Sequence, residues 1–337
     1  MTRRYTRKAL LGAALTALMG FGLGGGSTEA TAQTKTLRLS HHLAPGHLVD
    51  VASKRFAELV AEKTGGKLKV EVFPAGQLAG LRQGTEAVQV GTLDLVWSDF
   101  GTLANWQKQL GFISLPFLFR DNEHVLATLN GKIGEDLSTE VRKTLGIDVL
   151  GYGIAGFRVI ATRDRAVTTP ADLQGVKVRV PEVPVYVSAF KRVGANPTPM
   201  AWGEVYTALQ TGVINGVENP PEGLFVGRMQ EVTKFASKTN HIMTDVNLMM
   251  STSVLNGLPA DQQAAVKAAA ATAVGEYNKA SIAAGEEFWK KLAGAVTANE
   301  NPDREAFKTA LAPVWQEMDA AAGGKMKPWI DRVQAVK

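Results

Sequence analysis

Two hydrophobic periods alternate along the chain from about residue 36. In TLRLS (36–40) and KLKVEVFP (67–74) every second residue is apolar, the repeat of a strand with one buried face. From about His47 to Thr64, Val51, Phe56, Leu59 and Val60 read as the apolar face of a helix, and Gly65 and Gly66 end it. A turn at Pro74 to Gly76, a helix from Leu81 to about Val90 and a short apolar strand in TLDLVWS (92–98) follow. This β-α-β-α-β order favours a parallel α/β sheet with helices on its faces.

The middle of the chain repeats that logic. Strands are expected at IDVLGYG (147–153), GFRVIATR (156–163) and VKVRV (176–180), and helices near Pro184 to Val193 and Gly203 to Thr211. NLMMSTSV (247–254) reads as a strand returning to the first sheet. Ala260 to Ala293 is almost uninterrupted helix, roughly 50 Å long at about 1.5 Å per residue, enough to lie across two lobes. A chain that begins one lobe, builds a second and then returns must cross between them several times, and such crossings form a hinge.

Composition changes the picture at the N-terminus. Arg3, Arg4, Arg7 and Lys8 precede an apolar run to about Leu23, and Ala30-Thr31-Ala32 supplies small residues at cleavage positions. This is the pattern of a secretory signal peptide over residues 1–32. The paired arginines fit both the twin-arginine and the general export route. The expected mature protein is soluble and periplasmic, because no later segment reaches the roughly 20 apolar residues needed to span a bilayer. Residues 1–32 hold four basic residues and one acidic residue, so the remainder carries 33 of the 37 basic and 31 of the 32 acidic residues, a net charge of +2 against +5 for the whole chain. A near-neutral balance gives no support to nucleic-acid binding. With no cysteine, disulfides, thiolate metal sites and cysteine nucleophiles are excluded.

Little in the sequence could carry catalysis. The five histidines are His41, His42, His47, His124 and His241, and there is no nucleophile elbow, Walker loop, dinucleotide fingerprint or HExxH. Adjacent histidines on a strand point to opposite faces, so HHLAPGH (41–47) is a poor metal site. No metal, cofactor or enzymatic activity is expected. Two arginines in short strands, Arg158 and Arg179, offer instead the planar fork that matches a carboxylate. Taken alone, each reads more simply as a solvated or locally paired side chain.

The long run around Arg179 alters that balance. DLQGVKVRVP (172–181), GANPTPMAWGEVYTALQTGVINGVENP (194–220) and TNH (239–241) resemble the solute-binding proteins of tripartite ATP-independent periplasmic (TRAP) transporters, the dicarboxylate-type (DctP) family. The likeness extends over nearly the whole chain after residue 32, including FAELVAEKTGGKLKVEVFPAGQL and LPFLF. It implies an α/β protein of two lobes with mixed sheets, hinge crossings and a long helix spanning both. Residues 33–155 and about 245–284 would form lobe I, and 156–244 and about 285–337 lobe II.

The resemblance also implies a site. Arg179 of the RVP motif would pair with a ligand carboxylate, with Arg158 as a second arginine and Asn219 of ENP completing the clamp. Trp202 would pack on the ligand. His42, Trp97, Asp99 and Glu182 would contribute around the cleft. Plainer alternatives exist for several: Arg158 could neutralise a structural carboxylate, Asn219 could start a turn or cap a helix, and Trp202 could be core.

The chain departs from the family pattern at Gly80, Leu81, Asn215 and Glu182. A carboxylate at Glu182 would repel a second ligand carboxylate, which favours a hydroxy, keto or sugar monocarboxylate over a C4-dicarboxylate. The implied function is that a monomer captures an organic acid and delivers it to TRAP permease membrane subunits driven by an ion gradient. A periplasmic enzyme acting on small acids and a sensory protein presenting ligand to a receptor are the rival readings.

Overall fold

The structure, a computed structural model, describes residues 34–337, so the expected signal peptide lies outside the described residues. Among the described residues, eleven strands form two sheets. The first has the order β2 (Leu68–Phe73), β1 (Lys35–Ser40), β3 (Leu95–Ser98), β10 (Met243–Ser251), β4 (Ile147–Phe157). The second has the order β11 (Thr297–Asn299), β9 (Phe235–Ser237), β5 (Val159–Thr162), β8 (Gly216–Asn219), β6 (Lys177–Val180), β7 (Asn196–Pro199). β1 to β3 pair in parallel, as the β-α-β-α-β opening predicts, but β10 runs antiparallel to both its neighbours, and so does β5. Both sheets are therefore mixed, and each forms the centre of one lobe. Pro197 and Pro199 are tolerated because β7 is an edge strand.

The early elements follow from local chemistry. The helix Leu48–Lys63 starts where the His47 side chain accepts a hydrogen bond from Val49 N, and ends before Gly65 and Gly66, both with positive φ. Its buried face is Val49, Ala52, Phe56, Leu59 and Val60. Val51 is 53% exposed, contrary to the expected face, because it lies five positions before Phe56, which places it well around the helix. The expected strand at 247–254 begins at Met243 and yields at Thr252 to a short helix, Thr252–Asn256. The expected helix from Gly203 opens as a 3-10 turn, Trp202–Glu204, before Val205–Thr211.

The lobes are joined where strands run from one sheet into the other. β4 continues into β5 with only Arg158 between, and β9 returns to β10 through residues 238–242. Near this waist Thr244 pairs with Gly156 and Asp245 with Ile154, leaving Ala155 as a bulge. The long helix Ala260–Ala295 lies against the bulged strand. Asn278 Oδ1 accepts from Ile154 N at 2.9 Å, Ser281 Oγ donates to Ile154 O at 2.8 Å, and Asn278 Nδ2 donates to Tyr152 O at 2.8 Å. A Cβ on Gly151 would meet Val274 at 2.8 Å, and one on Gly153 would meet Val246 O at 2.2 Å, so glycine here permits that close approach.

At 36 residues the helix is about 54 Å long. Val266, Ala270, Ala273 and Tyr277 join the core of the first sheet with Phe56 and Trp97, while Trp289 and Leu292 join that of the second with Val159 and Val217. One element thus packs on both lobes. A further core, containing Phe100, Phe112, Leu137, Val178, Phe190, Phe307 and Val333, links residues from the first half of the chain with the C-terminal helices.

Candidate functional site

The principal cavity opens between the sheets, at the carboxyl ends of parallel strands from each: β1 and β3 on one side, β6 and β8 on the other. In α/β folds this is where ligands sit, because loops leaving the strands converge there. The cavity has a volume of about 80 Å³. His42, Asp99, Arg158, Arg179, Glu182, Trp202 and Asn219 all line it.

Arg179 stands on β6 and is 5% exposed. Its Nε and Nη2 donate to Met200 O at 2.9 and 2.7 Å, and its guanidinium lies 5.3 Å from the centroid of the Trp202 ring. It forms no ion pair among the described residues. Burial pushes its pKa down to about 10 despite the fields of Glu218 and Glu182. A guanidinium has five N–H donors, and the contacts to Met200 leave the rest of the fork unengaged.

Arg158 differs. Nη2 donates to Glu218 Oε1 and to Glu218 O, both at 2.7 Å, Nε donates to Glu218 Oε2, and Nη1 donates to Thr244 Oγ1 at 2.9 Å. Burial raises the Glu218 pKa, but Arg158 and His241 outweigh it, so this carboxyl sits below its ordinary value. Arg158 reaches the cavity, yet its charge is already neutralised. The plainer alternative of a structural carboxylate partner holds for the charge.

The remaining expected residues divide further. Asn219 ends β8 against Gly223, where a Cβ would come within 2.8 Å of Asn219 Nδ2. His42 is neutral: burial, then the fields of His41, Arg179 and His47, push its pKa down to about 3. Asp99 caps a short helix by accepting from Thr102 N at 2.6 Å, and burial raises its pKa. Glu182 lines the mouth, where its backbone oxygen accepts from Asn105 Nδ2 at 3.0 Å. Trp97 does not belong to the lining. It is fully buried in the core of the first lobe, 5.5 Å from the Tyr277 ring, because side chains alternate along β3 and the neighbouring Ser98 takes the cavity face.

Several lining residues escaped sequence reasoning. Tyr186 places its ring 4.9 Å from the Arg158 guanidinium. Asp245 accepts from Phe100 N at 3.0 Å, and burial together with Asp99 pushes its pKa up to about 7. A lone acid in the otherwise apolar run leading into NLMMS was a signal for it. His47, Thr244 and Glu222 also face the cavity, and nothing in their local sequence marked them.

Residues 39–321 match the family of bacterial extracellular solute-binding proteins, family 7 (DctP). The chain belongs to that family. This solute-binding protein is 33% identical over 320 residues to the 2,3-diketo-L-gulonate-binding periplasmic protein YiaO of Escherichia coli, covering 93% of this chain and 96% of that one. Its fold matches a TRAP periplasmic solute-binding protein of Roseobacter denitrificans with bound β-D-glucuronate at a TM-score of 0.84 and 30% identity, over 90% of this chain and 100% of the other. It also matches the sugar acid binding protein DctPAm of Advenella mimigardefordensis in complex with galactonate at a TM-score of 0.86 and 28% identity, over 90% and 99%. The protein is accordingly a periplasmic solute-binding protein with the two-lobed fold of the TRAP type. Among the described residues no helix is long and apolar enough to cross a membrane.

Proposed function

We propose that the protein captures a sugar-acid monocarboxylate, seats its carboxylate on the free fork of Arg179 and presents the closed complex to TRAP permease subunits in the membrane. One observation carries this reading: Arg179 is a buried guanidinium with a carbonyl partner but no carboxylate, at the wall of an interlobe cavity. An arriving carboxylate supplies the counter-charge that the protein withholds. Asn219 and the remaining Arg158 donor complete the clamp, and Trp202 covers the ligand as it covers Arg179.

The charge around the cavity supports one ligand carboxylate rather than two. Arg158 is spent on Glu218, and His42 and His47 are neutral at physiological pH. Asp99, Glu182, Glu222 and Asp245 line the same space. A second ligand carboxylate would meet these acids, whereas hydroxyls can donate to them. The Glu182 departure from the family pattern points the same way. The protein carries out binding and delivery rather than catalysis, with the ligand favouring the shut form because only then does it touch both lobes.

The test is a thermal-shift screen of residues 33–337 with calorimetric follow-up. Uronates and aldonates are expected to raise the melting temperature in a concentration-dependent way, and succinate and malate to do so weakly or not at all. Stronger stabilisation by C4-dicarboxylates than by any sugar acid would refute the monocarboxylate assignment. Turnover of a tightly bound acid would refute the binding-protein reading.

A further inference from the structure

Glu222 reaches across the cleft. It belongs to the short helix Pro221–Val226, whose Leu224 packs in the core of the second lobe, yet its Oε1 accepts from Leu48 N at 2.7 Å. Leu48 opens the helix Leu48–Lys63, which packs in the core of the first lobe. The partners are 174 positions apart in sequence and lie on separate bodies. The first N–H groups of a helix have no partner within it, so the acceptor must come from elsewhere, and here it comes from the opposite lobe.

We propose that Glu222 is the positioning residue for closure: its carboxyl group, carried by the second lobe, holds the N-terminus of the first lobe's leading helix, and this bond forms as the lobes shut. The role deepens the proposed function, because the ligand and Glu222 then act on the same closing motion. Parting of the lobes returns Leu48 N and Glu222 to water, at no loss of hydrogen bonds. In the shut form each depends on the other, since Glu222 is 5% exposed.

The surroundings make this contact proton-dependent. His47 Nδ1 lies 3.4 Å from Glu222 Oε1 but already accepts from Val49 N, so no imidazole proton is directed at the carboxylate. His47 itself stays neutral, its pKa pushed to about 3 by burial. On the long helix, Tyr277 is held above its ordinary pKa, first by burial and then by Glu222. Lys238, the cation that lines the cavity behind Glu222, is engaged by Glu286 at 2.8 Å. Asp245 and Asp99 face the shared ligand cavity, and burial raises the pKa of both. Burial accordingly pushes Glu222 up to about 7, against the lowering effect of the Leu48 bond. An acid whose pKa is raised in the shut form takes up a proton on closing, so closure strengthens as pH falls through about 7 toward the ordinary value of 4.5.

The native chain contains no cysteine, so a pair of spin labels at Val51→Cys in the first lobe and Val213→Cys in the second reports the interlobe distance without background; both positions are exposed. In the wild-type background the short-distance population is expected to grow between about pH 8 and pH 5.5, with and without D-glucuronate as the probe, and probe affinity to rise about tenfold or more. Glu222→Ala should shrink that population at every pH and weaken probe binding about tenfold. Glu222→Gln keeps an acceptor for Leu48 N but cannot titrate. It should restore closure and flatten that part of the pH profile that wild type does not share with it, leaving any contribution of Asp245 visible.

Distance distributions that coincide for wild type and Glu222→Ala at every pH would overturn the proposal. So would a lowered melting temperature in Glu222→Ala with closure and affinity unchanged. Failure of the wild type to bind D-glucuronate, while it retains a pH-dependent short-distance population that Glu222→Ala lacks, would sink the sugar-acid reading and leave the closure role standing.

Discussion

Replacing Arg179 separates charge from geometry. Its burial lowers the pKa from the ordinary guanidinium value to about 10, which corresponds to about 3 kcal/mol carried by the ligand-free protein to keep this cation charged. A base with a depressed pKa imposes that cost at every pH below the folded value, so it is fully present at neutrality. In Arg179→Lys the charge remains, but a lysine cannot present two parallel N–H groups to a carboxylate. Loss of one charge-assisted hydrogen bond costs about 1.5–3 kcal/mol, or a Kd raised about tenfold to somewhat over a hundredfold. In Arg179→Met the cation is gone. The burial cost of about 3 kcal/mol disappears, but the Met200 carbonyl loses its donors at about 1–3 kcal/mol, so the ligand-free melting temperature should stay within a few degrees of wild type. Calorimetry with D-glucuronate and a ligand-free thermal melt read the two quantities independently. Arg179→Lys binding within about threefold of wild type would refute the fork, and Arg179→Met retaining measurable affinity would refute the role of the cation.

Three further outcomes are expected. Trp202→Ala should weaken ligand binding about tenfold and abolish any ligand-induced change in tryptophan fluorescence that comes from this ring, whereas a ring serving only as core would lower the melting temperature and leave affinity intact. Gly223→Ala places a methyl 2.8 Å from Asn219 Nδ2 and must displace that amide; affinity should fall about tenfold with little change in melting temperature, and unchanged affinity would remove Asn219 from the clamp. Glu218→Gln leaves the Arg158 charge buried without its counter-ion and should destabilise the protein by about 3–5 kcal/mol in a urea titration. The same ion pair sets an acid limit: Glu218 is depressed below 4.5, so its contribution is present above that value and is lost as pH falls through its folded pKa, a dependence that the Gln variant should lack.

How far the site could be read in the sequence follows from what each residue's role depends on. Arg179, Asn219 and Trp202 lie in one run of fixed spacing, so the family pattern carries them together to the cavity wall. The strand period located β6 and its alternating faces, but it could not say that the carbonyl of Met200 rather than an acid would meet the guanidinium. Arg158 shows the limit more sharply. Its fate is decided by the antiparallel register of β5 on β8, which sets Ile160 opposite Glu218 and brings that acid beside the arginine. Register between strands separated by more than fifty residues has no local signature. Trp97 failed for the opposite reason: alternation along β3 was available in the sequence, and taking Ser98 as the cavity residue would have turned Trp97 inward.

Glu222 belongs to a third class, since its partner is a backbone N–H on another lobe and no residue type at position 48 would announce it. The same distinction explains why the fold was more legible than the function's finer detail. Helix and strand periods are properties of short segments, and the long helix and the β-α-β-α-β opening follow from them, whereas the crossing at Arg158 falls inside GFRVIATR, which the period reads as one strand. The proposed ligand preference is a sum over charges brought together from both sheets. It turns on one arginine being neutralised and the other not, and that difference arises only when β5, β6 and β8 lie side by side.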